Sequence, residues 1–352
     1  MKKHLIIGGG LAGCALAYRL IKKGHHVRLM DNNLNKSSFV AAGMINPIVF
    51  RRVNKSWRVD DFLPSAIHFY NELQEETKVD FFSSIKIRRF FASEQEKKYW
   101  TQKQENPSYV KYLANPDEGY YPYSINKHKL GSGIVKNAYR VNAMSFMSAV
   151  HRMLESMGVL IYQDFEFDKL DKNDLSYNGE SYETVVFSCG SDHRDIPFFN
   201  EVEIEQTKGQ ILTIHSKQIT EKETWNHKGF ILPIGAELFK VGATIERGLN
   251  DIRTTDDGKT ELVNVIKGIF SGAYEIKSQI AGVRPTVYDR RPVMGEHPNH
   301  KGIFVFNGLG TKGYLMAPLL SEEMADFIIS GKELHKEVKL SRFYKKPSLN
   351  RR

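Results

Sequence analysis

Residues 4–14 read His4-Leu5-Ile6-Ile7-Gly8-Gly9-Gly10-Leu11-Ala12-Gly13-Cys14. Two incompatible readings compete for them. Lys2 and Lys3, a short apolar run and then Leu11-Ala12-Gly13-Cys14 look like an export signal ending in a lipid-attachment cysteine. The same residues spell Gly8-x-Gly10-x-x-Gly13 behind an apolar strand. The residues downstream decide between the two. Leu11 to Ile21 carries apolar residues at helical spacing and closes on Lys22, Lys23 and Gly24, while Val27 to Met30 is a second apolar run with Asp31 at its tip. Three consecutive glycines also interrupt the apolar segment that an export signal requires.

Strand, glycine turn, helix, strand and acid, in that order, is the layout of a dinucleotide site. Gly8 permits the tight turn, Gly10 lets a pyrophosphate approach the backbone, and Gly13 lets helix and strand pack closely. The helix N-terminus, starting at Leu11 and Ala12, offers unpaired N–H groups and a positive dipole end. Asp31 can accept hydrogen bonds from ribose hydroxyls, with Asn32 beside it. Cys14 then reads as a small packing residue one position inside the helix, and the chain is expected in the cytoplasm.

Composition narrows the class. The chain has 352 residues, 41% of them hydrophobic and 26% charged, which suits a globular protein with ample core. No run approaches the roughly 18 apolar residues of a membrane-spanning helix. Two cysteines exclude a disulfide framework and a cysteine-rich metal site. The twelve histidines show no metal-ligand spacing, and Cys189-x-x-x-His193 lacks a partner pair, so no metal is expected. A net charge of +9 permits an acidic partner such as RNA without demanding one, because 41 acidic residues are interspersed.

A second glycine motif, Gly308-Leu309-Gly310-Thr311-Lys312-Gly313, follows the apolar run Ile303 to Asn307. An amphipathic helix is predicted over Tyr314 to Ile329, but no strand leads into Glu333 and nineteen residues remain after it. A second nucleotide-binding unit is therefore not expected. The strand and helix are expected to complete the first sheet and aim a helix N-terminus at the same cofactor. Between the two motifs, helices are predicted over 59–74 and 142–157, and 76–138 reads as a loop-rich insert with clusters such as Asn115-Pro116-Asp117-Glu118-Gly119. The buried run Thr184 to Phe187 ends in small residues, Ser188, Cys189 and Gly190, as suits a backbone passing close to a ligand. Residues 206–246 read as β-hairpins. The expected fold is α/β: a Rossmann-like domain (1–58, 139–200 and 280–345) interleaved with a β-rich α+β substrate domain (59–138 and 201–279), then a basic tail at 346–352.

Three segments together resemble the FAD-dependent D-amino-acid oxidase superfamily, most closely its glycine oxidase and sarcosine oxidase branch. They are Ser37 to Ile45, then Ala281-Gly282-Val283-Arg284-Pro285 with Asp289 and Pro292 to Gly295, then Gly308 to Gly313 running on to Ala317-Pro318. The resemblance implies a non-covalent FAD, since no cysteine stands near the C-terminal motif. It implies that Ser38 and the Ala41-Ala42-Gly43-Met44 loop lie against the flavin, that Gly308 to Gly313 approach its pyrimidine side, and that the backbone at Phe167 meets the adenine end. Arg284 matches the arginine that clamps the substrate carboxylate, a task suited to two parallel N–H bonds. The alternative for Arg284 is a salt bridge to Asp289 or a glutamate. Phe230 stands where glycine oxidases place a tyrosine, which argues against simple glycine. Lys208 and Lys312 are candidates for a cation near the flavin that assists oxygen reduction, the alternative for each being a solvated surface lysine.

A further likeness concerns the flavin half of the bifunctional tRNA methylaminomethyl-thiouridine enzymes. It rests on Thr207-Lys208-Gly209-Gln210, Gly229 to Pro233, Gly242 to Gly248, Ala317-Pro318-Leu319, Gly331, Leu334 and Arg342. Three functions follow as expectations. The first is oxidation of the C–N bond of a small amino acid or N-substituted glycine, with hydride passing to flavin and the imine hydrolysing in water. The second is oxidative removal of the carboxymethyl group from carboxymethylaminomethyl-uridine in tRNA. The third is a non-catalytic FAD- or RNA-binding protein.

Overall fold

The computed structural model describes residues 2–34, 37–115 and 128–344. The expected basic tail lies outside them, as does the Pro116 to Gly119 part of the polar cluster.

One sheet has six strands in the spatial order Val293–His297, His300–Asn307, Thr184–Phe187, Lys3–Ile7, His26–Asp31 and Leu160–Tyr162. All neighbours pair in parallel except the first two. Leu5, Ile6, Val185, Val186 and Val305 are fully buried, which explains why these strands read as unbroken apolar runs rather than as alternation. The second glycine motif joins this sheet through His300–Asn307, and its helix, Gly313–Ser330, packs beside Leu11–Lys22. Gly13 makes the first crossing possible: a Cβ there would lie 2.0 Å from the Gly8 carbonyl oxygen. Cys14 is buried, its thiol donating to the Gly9 carbonyl at 3.1 Å.

A ten-stranded sheet forms the other layer. Its backbone is the long antiparallel pairing of Ile204–His215 with Glu275–Val287, in which Thr207 faces Arg284 and Gly209 faces Gly282. The strand Glu275–Val287 runs through the boundary expected at 280. Helix Val59–Thr77 packs against Gly313–Ser330, where the Tyr70 hydroxyl donates to the Tyr314 carbonyl at 2.7 Å.

The expected loop-rich insert is corrected. It holds the strand Phe82–Phe90, the helix Glu94–Gln104 and much of the strand Ser132–Val141. Periodicity hid them because the helix buries only Glu96 and Trp100, and the strand buries Arg88 and Arg89. Those arginines are paired, Arg88 with Glu223 at 2.7 Å and Arg89 with Glu96 at 2.6 Å. Paired charges can be buried where apolar residues would otherwise be expected.

Candidate active site

The C-terminal ends of the five parallel strands open on one crevice, as ligand sites do in parallel sheets. A cavity of about 560 Å³ runs along it. Its wall takes Gly8, Gly10, Leu11 and Ala12 from the first turn, Asp31 and Asn32 from the next strand end, and Ser38 with Ala41, Ala42, Gly43 and Met44. Phe167, Ser188, Cys189 and Gly190 line another stretch, and Leu309, Gly310, Thr311 and Gly313 close the far end. Gly13 does not reach the cavity; it faces the Gly8 carbonyl instead.

The polar groups along this wall are well anchored. Asp31 accepts the Gly9 N–H at 2.5 Å and the Asn33 N–H at 2.6 Å. Helix Leu11–Lys22 has Gly10 at its N-cap and no side-chain cap, so its first turn keeps N–H groups for an anion. The Leu11 N–H alone turns to the Ser38 hydroxyl, at 3.0 Å. The Ser188 hydroxyl is buried without a hydrogen-bond partner among the described residues.

Several residues in the wall or bracing it from behind carried no sequence signal. His151 is buried, with one ring nitrogen 2.7 Å from the Gly9 carbonyl and the other 2.9 Å from the Tyr162 hydroxyl, and so braces the glycine turn. Gln163 and Asp164 line the cavity directly after Leu160–Tyr162, a position that follows from the rule for parallel strands. Lys240 donates to the Ala41 carbonyl at 3.1 Å; burial first, then Arg140, lowers its pKa from 10.5 to about 8.

Arg284 stands where the crevice meets a second cavity of about 1150 Å³, and both cavities share Ile245, Arg284, Leu309, Gly310 and Thr311. Its guanidinium lies over Gly209 and donates to the Thr244 carbonyl at 3.3 Å. No carboxylate pairs with it among the described residues, and burial pulls its pKa below 12.5. The alternative salt bridge to Asp289 does not form: that carboxylate accepts the Arg291 N–H at 2.9 Å and pairs with Arg342 at 3.2 Å. Phe230 lines the first cavity with its ring against Gly242.

The two lysines are corrected. Lys208 is buried yet lines neither cavity, because alternation along Ile204–His215 turns it away from the face shown by Thr207 and Gly209; it pairs with Asp251 at 2.8 Å. Lys312 is no surface lysine either. Its ammonium donates to the Asn46 carbonyl at 3.1 Å and to the Ser56 hydroxyl, and burial lowers its pKa to about 8. With Gly308 it faces the second cavity rather than the first. Among the described residues, no group of three or more His, Cys, Asp or Glu could hold a metal ion, and no helix is long and apolar enough to cross a membrane.

The family model described as FAD dependent oxidoreductase matches residues 3–327. The chain belongs to this FAD-dependent oxidoreductase family. Among its relatives is the glycine oxidase of Bacillus licheniformis, 24% identical over 92% of each chain. Another is the tRNA 5-methylaminomethyl-2-thiouridine biosynthesis bifunctional protein of Acinetobacter baylyi, 21% identical over 92% of this chain and 52% of that protein. The solved iminodiacetate oxidase of Chelativorans sp. BNC1 superposes with a TM-score of 0.77 over 97% of this chain and 98% of its own, at 20% identity. The crevice of this FAD-dependent oxidoreductase fits its cofactor. The uncapped helix N-terminus would meet the diphosphate, Asp31 the ribose, and the Ala41–Met44 segment with Leu309, Gly310, Thr311 and Gly313 the isoalloxazine ring.

Proposed function

We propose that this enzyme oxidises the C–N bond of a small amino acid or N-substituted glycine, and that Arg284 clamps the substrate carboxylate. FAD supplies the two-electron chemistry, accepting a hydride from the carbon beside the amine. The neutral amine loses its proton to solvent as the C=N bond forms, and water then splits the imine into an amine and a 2-oxo acid. No side chain has to act as a strong base.

The observation that carries this reading is Arg284 itself. A cation drawn out of water with no carboxylate in pairing range costs several kcal/mol. An incoming carboxylate offsets that cost and accepts two parallel N–H bonds. Phe230 adds an apolar wall rather than a hydroxyl, and the adjoining second cavity leaves room for a group on the substrate nitrogen. Both favour an N-substituted glycine over glycine.

Anaerobic mixing of the yellow holoenzyme with a panel of glycine, N-methylglycine and bulkier N-substituted glycines tests the reading. Bleaching of the flavin by the substituted members is expected, together with its loss in Arg284→Ala. Undiminished reduction in Arg284→Ala would overturn the clamp.

The size of the second cavity also favours a second reading, in which the N-substituted glycine is the carboxymethylaminomethyl group of a tRNA uridine. Its similarity to the bifunctional relative supports it. Mass analysis of wobble nucleosides from a deletion strain tests it, and unchanged nucleosides eliminate it.

A further inference from the structure

The motif Thr207-Lys208-Gly209-Gln210 runs beneath Arg284, yet only alternate residues of it face the cavities. Gly209 lies under the guanidinium, and Thr207 stands opposite Arg284 in the strand register. Lys208 and Gln210 belong to the other face of Ile204–His215, as strand alternation requires, and line neither cavity. Both are buried, and on that rear face both hold one segment of chain, residues 244–255.

The Gln210 amide donates to the Glu246 carboxylate and to the Thr255 hydroxyl, both at 2.8 Å. Its side-chain carbonyl accepts the Thr255 N–H at 3.0 Å and the Gln279 amide at 2.7 Å. These are all the bonds a glutamine side chain can make. The Gln210 backbone N–H donates to the Thr244 hydroxyl at 2.9 Å, and that hydroxyl donates on to Glu246 at 2.9 Å. Thr255 also caps helix Asp256–Ile269 by accepting the Gly258 N–H at 3.1 Å. Gln210 thus closes both ends of the segment, while Lys208 ties its middle through Asp251 at 2.8 Å.

The same segment shapes the site from the front. Thr244 gives its carbonyl to the Arg284 guanidinium at 3.3 Å, and Ile245 lines both cavities where they join. The clamp reading, on which this inference rests, depends on where that guanidinium stands. We infer that Gln210 and Lys208 are positioning residues for the clamp. By fixing residues 244–255 from behind, they set the Thr244 carbonyl and hence the angle at which Arg284 meets the substrate carboxylate. Filling the space requires neither residue. An apolar side chain would do so without desolvating an ammonium, whereas a fully bonded polar network admits a single arrangement of the segment.

Anaerobic flavin reduction by N-methylglycine, followed by stopped flow, separates affinity from the rate at saturation. The holoenzymes compared are wild type, Arg284→Ala, Gln210→Met, Lys208→Met and Lys208→Arg, each checked for flavin content and melting temperature. Gln210→Met and Lys208→Met are each expected to weaken the apparent Kd about tenfold, the value of one charge-assisted hydrogen bond, with the limiting rate within about twofold of wild type. Lys208→Arg keeps a cation for Asp251 and is expected to restore most of the affinity. Hydrogen exchange across residues 244–255 should quicken in both Met variants. Where Gln210→Met does not fold, Glu246→Gln, at the half-buried carboxylate of the same network, carries the same expectation. Unchanged affinity or unchanged exchange in both Met variants overturns the inference. So does a loss of flavin or of limiting rate as large as the loss of affinity, the mark of a general structural role. If the wild type is not reduced, or Arg284→Ala binds as tightly as wild type, the clamp reading fails and the inference falls with it. An impaired Arg284→Ala beside unimpaired Met variants refutes the inference alone.

Discussion

The guanidinium of Arg284 occupies the space a side chain would need at Gly209: a Cβ there would lie 2.0 Å from Nη2. The two residues sit on paired strands, and the absence of a side chain on one sets the position of the other. Gly209→Ala is therefore expected to push the guanidinium off its seat. Substrate KM should rise about tenfold or more while flavin content stays at the wild-type level, because a displaced charge-assisted bond costs about 1.5–3 kcal/mol. Steady-state kinetics beside a flavin-to-protein absorbance ratio checks both halves, and an unchanged KM would count against the seat.

Gly13→Ala tests the other close approach. Its Cβ would meet the Gly8 carbonyl, so the helix must lift off the strand, with an expected loss of about 1–3 kcal/mol in urea unfolding. The cofactor turn moves with the helix, and purified protein should come out depleted in flavin. Retention of full flavin content would show that the turn tolerates the shift.

The Arg88–Glu223 pair is enclosed, with side chains 4% and 9% exposed, and bridges Phe82–Phe90 to the segment leading into Thr224–His227. Removing one partner leaves a buried charge, so Glu223→Gln is expected to cost about 3–5 kcal/mol. The flavin spectrum should not change, since the pair lines neither cavity. Replacing both with apolar residues, Arg88→Met with Glu223→Leu, should recover much of the loss.

Lys312 makes stability depend on pH. Burial lowers its pKa from 10.5 to about 8, so the unfolded chain keeps this proton to higher pH than the folded one. Stability contributed by this group is therefore lowest below about 8 and rises as pH climbs from about 8 towards 10.5. The melting temperature of the wild type relative to Lys312→Met should climb across that window by on the order of a few °C, and stay flat below about pH 7. Differential scanning calorimetry of the two proteins shows whether the difference moves in this direction.

Much of the crevice lining is legible in the sequence. The alternation of strand, turn and helix from Lys3 to Asp31 is local, with each element declaring itself by its own periodicity and by the glycines between. The small residues Ser188 to Gly190 could be placed on the same grounds. The segment from 76 to 138 could not, because Arg88, Arg89 and Glu96 read as surface residues until their partners Glu223 and Glu96 come together in space. His151 was hidden for a related reason: nothing within its helix shows that Gly9 lies across from it.

The sequence by itself determined the dinucleotide-binding sheet, its glycine turn and the second motif that extends it, since these depend on interactions within short spans of chain. It also marked Arg284 as a residue worth weighing. Only the tertiary structure decided what surrounds that arginine. Strand pairing turned Lys208 away to Asp251, laid Gly209 beneath the guanidinium, and brought Thr207 and Thr286 into one cavity with Lys312. A lysine's letter is the same in water and in a protein interior. Its charge state, partners and function depend on which distant segments fold against it, and no local pattern specifies those.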